Sequence, residues 1–289
     1  MRGSVEARQL LFMRPFLIAL TMTAFAANSI LNRMAVDGGH ADSGSFATLR
    51  VLSGAVMLVV LALMQGKPLV FASRQRVLGA AMLALYMAGF SVAYRTLNAG
   101  LGALILFGSV QITMFAISAM RGAGPTGRQI IGAIIAFGGL IIVLNPSGAR
   151  VADPLGAAFM VAAGIGWAVY TLSGRSEPDA LAGTAANFCL ALPLTVLVPL
   201  LATGPLNMTP TGVALAVMSG AVTSGLGYAL WYSLLPGLAP AIAAILQLSV
   251  PVIAVLGGVL LLGETVGLRF VVGAALVLGG VALSLVRRR

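Results

Sequence analysis

The chain has 289 residues, 60% of them apolar and 8% charged, with 17 basic against 7 acidic side chains and a formal net charge of +10. An ordinary soluble domain carries about 25% charged residues, so a water-soluble enzyme or binding module is excluded, as is a disordered chain, which requires low hydrophobicity. A polytopic membrane protein remains, and the mean hydropathy of +1.05 agrees.

Apolar runs predict ten membrane-spanning helices, at 14–34, 45–64, 76–96, 100–119, 127–145, 154–174, 181–202, 210–233, 239–261 and 267–286. A bilayer core takes about 20 apolar residues per helix, so ten spans use roughly 200 residues and leave about 90 for links and ends. That is too few for a soluble domain, and the fold class is all-α and integral to the membrane. The breaks Gln65-Gly66-Lys67-Pro68, Gly122-Ala123-Gly124-Pro125, Asn145-Pro146-Ser147-Gly148 and Thr203-Gly204-Pro205 carry turn chemistry. Only Leu97–Ala99 separates spans three and four, but one helix of their joint length would exceed any bilayer.

Orientation follows from the basic residues. Arg2, Arg8, Arg14, Lys67, Arg74, Arg76, Arg121, Arg128, Arg175, Arg287, Arg288 and Arg289 fall on the face that holds both ends. Arg33, Arg50, Arg95, Arg150 and Arg269 fall on the other, twelve against five. Basic links stay in the cytoplasm, so both ends are expected there, in a bacterial-type inner membrane. The same dispersal argues against a nucleic-acid partner. Arg14, the apolar stretch after it and Ala24-Phe25-Ala26 resemble a signal peptide. The stretch is long for one, and cleavage would leave nine spans, so it is assigned to the first helix.

Catalytic chemistry has little to work with. Cys189 is the only cysteine and lies in an apolar run, where it fits a buried hydrophobe. His40 is the only histidine and lies in the polar stretch Asp37–Ser45, so a Ser–His or Cys–His centre is not expected. No phosphate-binding GxxxxGK[ST] loop occurs. No metal, cofactor or enzymatic activity is expected.

The mid-span polar and aromatic residues are few. Span one offers Phe25, Asn28 and Asn32 on one helical face. Span three offers Tyr86, Phe90 and Tyr94, and span four Phe107 and Gln111. Span six offers Trp167 and Tyr170; span eight Thr223, Ser224, Tyr228, Trp231 and Tyr232; span nine Gln247, Ser249 and the helix-kinking Pro251. Spans two, five, seven and ten are nearly bare, Asn187 excepted, which suits contact with lipid or packing duty. The candidate solute-binding residues are Phe25, Asn28, Tyr86, Phe90, Phe107, Gln111, Trp167, Tyr170, Ser224, Tyr228, Trp231 and Gln247. Tyr94, Trp231 and Tyr232, near span ends, also fit anchors at the membrane interface, and the amides fit hydrogen bonds between helices. No Asp, Glu, Lys or Arg falls near mid-span, which predicts a chargeless chamber for an uncharged, zwitterionic or partly apolar solute.

The two halves repeat. Ile131-Gly132-Ala133-Ile134-Ile135-Ala136-Phe137-Gly138-Gly139 matches Val272-Gly273-Ala274-Ala275-Leu276-Val277-Leu278-Gly279-Gly280. Ser109-Val110 matches Ser249-Val250, Phe90 and Tyr94 match Tyr228 and Tyr232, and Phe25 and Arg33 match Trp167 and Arg175. Residues 1–148 and 149–289 thus form two units of five spans. An odd number inverts the second unit, and inverted repeats enclosing a central cavity are a transporter architecture. The paired glycines are expected where helices approach closely.

The chain resembles the EamA branch of the drug/metabolite transporter superfamily. The resemblance is carried by Gln247-Leu248-Ser249-Val250-Pro251 through Leu262-Gly263-Glu264, followed by Gly273 and Gly279-Gly280. It covers nearly the whole chain and is nearest to the bacterial aromatic amino-acid exporters. The first half departs from it: Gln111 stands opposite Pro251, and Arg121-Gly122-Ala123-Gly124 opposite the Leu-Gly-Glu turn. The resemblance implies a secondary exporter of small neutral solutes, aromatic and other neutral amino acids above all, working by alternating access. Its partners would be the solute and the bilayer, and a monomer is compatible with it. Glu264 is expected to be structural. A multidrug or metabolite exporter of the same fold and a non-transporting membrane scaffold are the alternatives. A reporter fused after Arg289 is expected to report the cytoplasm; periplasmic activity would reverse the assignment.

Overall fold

The computed structural model describes residues 2–120, 126–144, 153–174, 177–201, 206–235, 238, 246–247 and 249–285, with side chains from Arg14 onward. The turns at Gly122–Pro125, Asn145–Gly148 and Thr203–Pro205, Arg175, and the boundary between the two expected halves lie outside the described residues. Among the described residues, ten helices lie where spans are predicted: α1 (Arg2–Val36), α2 (Ser43–Met64), α3 (Arg74–Ala93), α4 (Ala99–Met120), α5 (Gly127–Leu144), α6 (Pro154–Gly174), α7 (Ala180–Leu201), α8 (Pro210–Leu234), α9 (Ser249–Leu262) and α10 (Leu268–Leu285). Six of them, α1 from Arg14, α2, α3, α6, α7 and α8, are long and apolar enough to cross a bilayer in their described parts. The middle of α8, Met218–Leu226, winds as a π-helix.

Helix starts are marked by side chains that accept orphan backbone N–H groups, because the first turn has no intrahelical partners. Asp42 accepts from Ser45 N–H at 2.9 Å, Ser73 from Arg76 N–H at 3.1 Å, Asp153 from Gly156 N–H at 2.8 Å, Asp179 from Ala182 N–H at 3.0 Å and Thr209 from Gly212 N–H at 3.1 Å. Thr126 and Gln129 exchange bonds as a capping box before α5. The Gly156 N–H and the Thr96 hydroxyl hold the Asp153 carboxyl below its usual range.

The helices alternate in direction, and links from distant parts of the chain meet on two rims. On one rim, the α1–α2 link meets the segment before α8. Asp42 N–H donates to the Asn207 carbonyl at 2.8 Å and Thr209 N–H to the His40 carbonyl at 2.8 Å. On the opposite rim, the α2–α3 link meets the α6–α7 link through Arg76–Glu177 at 2.6 Å and Lys67–Asp179 at 3.1 Å.

The main helix contacts are α5–α10, α3–α6, α2–α7, α1–α8, α2–α8, α4–α6, α3–α7, α1–α9 and α4–α9. Exchanging each helix for the one five places along turns α3–α6 into α8–α1, α4–α6 into α9–α1 and α3–α7 into α8–α2. It leaves α2–α7, α4–α9 and α5–α10 unchanged. Close approach is local and glycine-made. A Cβ on Gly139 would stand 2.7 Å from the Gly273 carbonyl, and one on Gly280 would stand 2.5 Å from the Gly132 carbonyl. The first glycine of each pair behaves differently: nothing lies within 4 Å of a Cβ on Gly138 or Gly279.

The outer surface is apolar in stripes. Leu52, Val56, Val60 and Leu63 on α2 and Ile130, Ile134, Phe137 and Ile141 on α5 are all exposed. Side chains three and four apart share a helix face, and lipid, unlike water, sets no penalty on such a face. Spans two and seven pack on each other, a duty that suits bare spans, although α2 brings a buried arginine with it. One sequence expectation fails here. Tyr94, Trp231 and Tyr232 are buried and cannot serve as interface anchors. Their positions near span ends say nothing about azimuth, and each ring turns into the bundle.

Gly139→Ala and Gly280→Ala are expected to lower the unfolding temperature in detergent, since each new methyl meets backbone. Gly138→Ala and Gly279→Ala are expected to be neutral or to stabilise by up to about 1 kcal/mol through helix propensity.

Candidate solute-binding site

Aromatic residues from α1, α3, α6 and α8 converge in the bundle centre. The Trp167 ring stands 5.0 Å from Tyr86, 5.0 Å from Tyr228, 6.0 Å from Phe25 and 5.8 Å from Tyr170. Phe25 meets Tyr228 at 5.6 Å and Trp231 at 5.9 Å, both edge to face. Phe90 continues the chain of rings from Tyr86 at 5.4 Å to Tyr94 at 4.7 Å. Spacings of three and four residues along α3, α6 and α8 put each of those helices' rings on one face, and α1 adds Phe25; only the packing turns those faces toward one another.

The rings border a small void together with Asn28, Ser29, Leu106 and Phe107. Its volume is about 10 Å³, room for about one water. Sites for small molecules span about 300–1,000 Å³, so the helices are closed here and a solute requires them to part. Seven of the candidate residues border the void: Phe25, Asn28, Tyr86, Phe90, Phe107, Trp167 and Tyr228. Tyr170 and Trp231 stack behind them, and Ser224 reaches them through hydrogen bonds. Gln111 and Gln247 are buried but do not border it.

Polar support comes from the π-helical turn of α8. A π turn is wider than an α turn, which lines up residues four and five apart. The hydroxyls of Ser219, Thr223 and Ser224 all converge on Asn28 Oδ1, at 2.8, 2.6 and 3.2 Å. Asn28 Nδ2 donates back to the Ala24 carbonyl at 3.3 Å. Gly220 makes the approach possible, because a Cβ there would overlap Ser53 Oγ and the Arg50 carbonyl on α2.

Arg50 overturns the expected chargeless interior. It is the eighth residue of α2, about 10 Å in from Ser43 at 1.5 Å per residue. From there its side chain points inward rather than back to the rim, and it is fully buried. Nε donates to Ser224 Oγ at 3.1 Å and Nη2 to the Tyr86 hydroxyl at 3.3 Å. The guanidinium carbon stands 4.9 Å from the Phe90 ring centre and 5.6 Å from that of Tyr86. Sequence position made Arg50 look like a rim residue. The length of an arginine side chain and the direction it takes are what carry its charge inside. Ser29, Leu106 and Ser219 were also missed, since short hydroxyls and a leucine carry no signal in an apolar helix.

Residues 154–286 match the EamA-like transporter family. An uncharacterised protein of Pseudomonas aeruginosa is 46% identical over 273 residues, covering 94% of each chain. An uncharacterised transporter of Archaeoglobus fulgidus is 31% identical over 175 residues, 57% of this chain and 59% of that one. The EamA-like match thus covers the second half of the chain, α6 through α10. A crystal structure of another protein has the same fold, with a TM-score of 0.67 at 19% identity, covering 93% of this chain and 97% of that one. The matched family is one of transporters, and six described helices are long and apolar enough to cross a bilayer.

The EamA-like Leu262-Gly263-Glu264 turn has a structural job, as the sequence suggests. Gly263 takes φ +63°, a left-handed conformation in which glycine is favoured. The reversal brings Glu264 Oε1 to the Ala99 N–H at 2.8 Å, where it caps α4, and to Arg33 Nε at 3.8 Å. Arg33 also pairs with Asp37 at 3.1 Å and donates to the Tyr94 carbonyl at 3.1 Å. The turn thus ties α1, α4 and α9 together on one rim.

Asn28→Leu strips three buried hydroxyls of their common acceptor and is expected to cost about 1–3 kcal/mol, read as a lower unfolding temperature in detergent. Ser219→Ala removes one donor of three and is expected to cost less than Asn28→Leu.

Proposed function

We propose that the chain is a secondary exporter of small amphiphilic solutes with a flat apolar body, aromatic and other neutral amino acids among them. It works by alternating access between two inverted five-helix units, 1–148 and 149–289. The observation that carries this reading is the ring of aromatic side chains around the central void, drawn from helices of both units. Rings of this kind hold a flat apolar body with little loss of side-chain freedom.

Three features support the rest. The main helix contacts map onto one another when each helix is exchanged for the one five places along, which is what an inverted pair of five-helix units would produce. Both rims are fastened between the units, by backbone hydrogen bonds and the Arg33–Glu264 contact on one side and by two ion pairs on the other. Opening either rim alone would admit a solute from that side, and the central void has no room for one until a rim parts. The buried Arg50 disfavours a cationic-drug exporter, because like charges repel strongly in a poorly screened interior.

Uptake of labelled phenylalanine or tryptophan into proteoliposomes, with and without a pH gradient, tests the reading. Saturable flux is expected, and Trp167→Ala is expected to raise the half-saturating concentration about tenfold or more. Absence of saturable flux for every amino acid tried would remove that substrate class, and an unchanged Trp167→Ala would remove the ring cluster as the site.

A further inference from the structure

We propose that Arg50 anchors the carboxylate of the carried solute, and that the site selects aromatic or similarly apolar monocarboxylates. The proposal rests on the transport reading and names the part of the solute that the aromatic cluster does not explain.

Arginine is a permanent cation, and a charge buried away from water needs a counter-charge or a function. Among the described residues Arg50 has no counter-charge. Asp42, Asp153, Asp179 and Glu264 cap helix starts on the rims. Asp37 and Glu177 pair with Arg33 and Arg76. Hydroxyls and ring faces are what Arg50 has instead, and they bring no net charge. Its Nη1 is buried with no hydrogen-bond partner. One donor of a fully buried guanidinium therefore stands open beside two rings, Tyr86 and Phe90, that border the central void.

The other open valences nearby ask for the same chemistry. Trp167 Nε1, a donor, is buried without a partner. Asn28, which borders the same void, has its Oδ1 already occupied by three hydroxyls. The unpartnered donors Arg50 Nη1 and Trp167 Nε1 suit carboxylate oxygens, whereas the unpartnered acceptors Asn32 Oδ1, Asn187 Oδ1 and Gln247 Oε1 belong to residues that do not border the void. One guanidinium balances one negative charge, so a dianionic phosphate ester would bury a surplus charge. The cation also belongs to one unit alone. Arg50 is the eighth residue of α2, and the eighth residue of α7 is the neutral Asn187. A Cβ on Gly79 would press on Asn187, just as one on Gly220 would press on Arg50 and Ser53. Equivalent packing with unequal charge marks Arg50 as an addition that packing does not require.

Binding to the purified full chain in detergent, by calorimetry and thermal shift, tests this without any need for flux. The probes are 3-phenylpropionate, its neutral isostere 3-phenylpropionamide, and the cation phenethylamine. The acid is expected to bind about ten- to a hundredfold more tightly than the amide, the range of a hydrogen bond to a charged group, and the amine more weakly than either. Arg50→Gln is expected to abolish the acid-over-amide preference and Arg50→Lys to keep part of it. An amide or amine that binds wild type as tightly as the acid would overturn the proposal, as would a folded Arg50→Gln protein with its preference intact. If Arg50→Gln does not fold, the wild-type ratio alone decides. Acid-selective binding with no flux in proteoliposomes would overturn the transport reading and leave the anchor standing. Flux with no acid preference would do the reverse.

Discussion

A cation inside a lipid-embedded bundle has to be solvated by the bundle itself, and the centre of this molecule is organised around that demand. Arg50 is held by two hydroxyls and two ring faces, contributed by α3 and α8. Ser224 passes the interaction on to Asn28, so that α1, α2, α3 and α8 share one polar network. In a low-dielectric interior such bonds are strong when made and costly when missing. The π-helical turn of α8 follows from the same demand: it sets three hydroxyls on one line facing α1 and lets α2 come close at Gly220.

Polar groups elsewhere are sorted by depth. Carboxylates stay on the rims, where they cap helix starts or meet arginine and lysine, and where water shares the cost of their charge. Hydroxyls and amides go inward, where they bond to one another. This sorting leaves Arg50 without a carboxylate among the described residues. Both rims are tied across the bundle, one by backbone hydrogen bonds and the Arg33–Glu264 contact, the other by the Arg76–Glu177 and Lys67–Asp179 ion pairs.

Between rims and centre, contact is governed by side-chain size. Gly139 and Gly280 allow α5 and α10 to touch backbone to backbone. The faces of α2 and α5 turned to lipid keep their large apolar side chains. Neither arrangement needs a hydrophobic drive between helices; a close fit is enough, because lipid tails are as apolar as leucine.

Composition, span length and turn chemistry were sufficient to read ten helices and a membrane setting, because helices in lipid must satisfy their own backbone and so announce themselves as long apolar runs. The polar-marked helices, the aromatic spacings on α3, α6 and α8, and the structural role of Glu264 were legible for the same reason: each is a local pattern. What the sequence could not carry is azimuth and reach. Whether Trp231 faces lipid or its neighbours, which glycine of each pair touches another helix, and whether Arg50 extends to the rim or into the core depend on how helices distant in sequence turn toward one another. Only the tertiary structure decided those, because a side chain's environment in a bundle is set by its neighbours' packing and not by its place along its own helix.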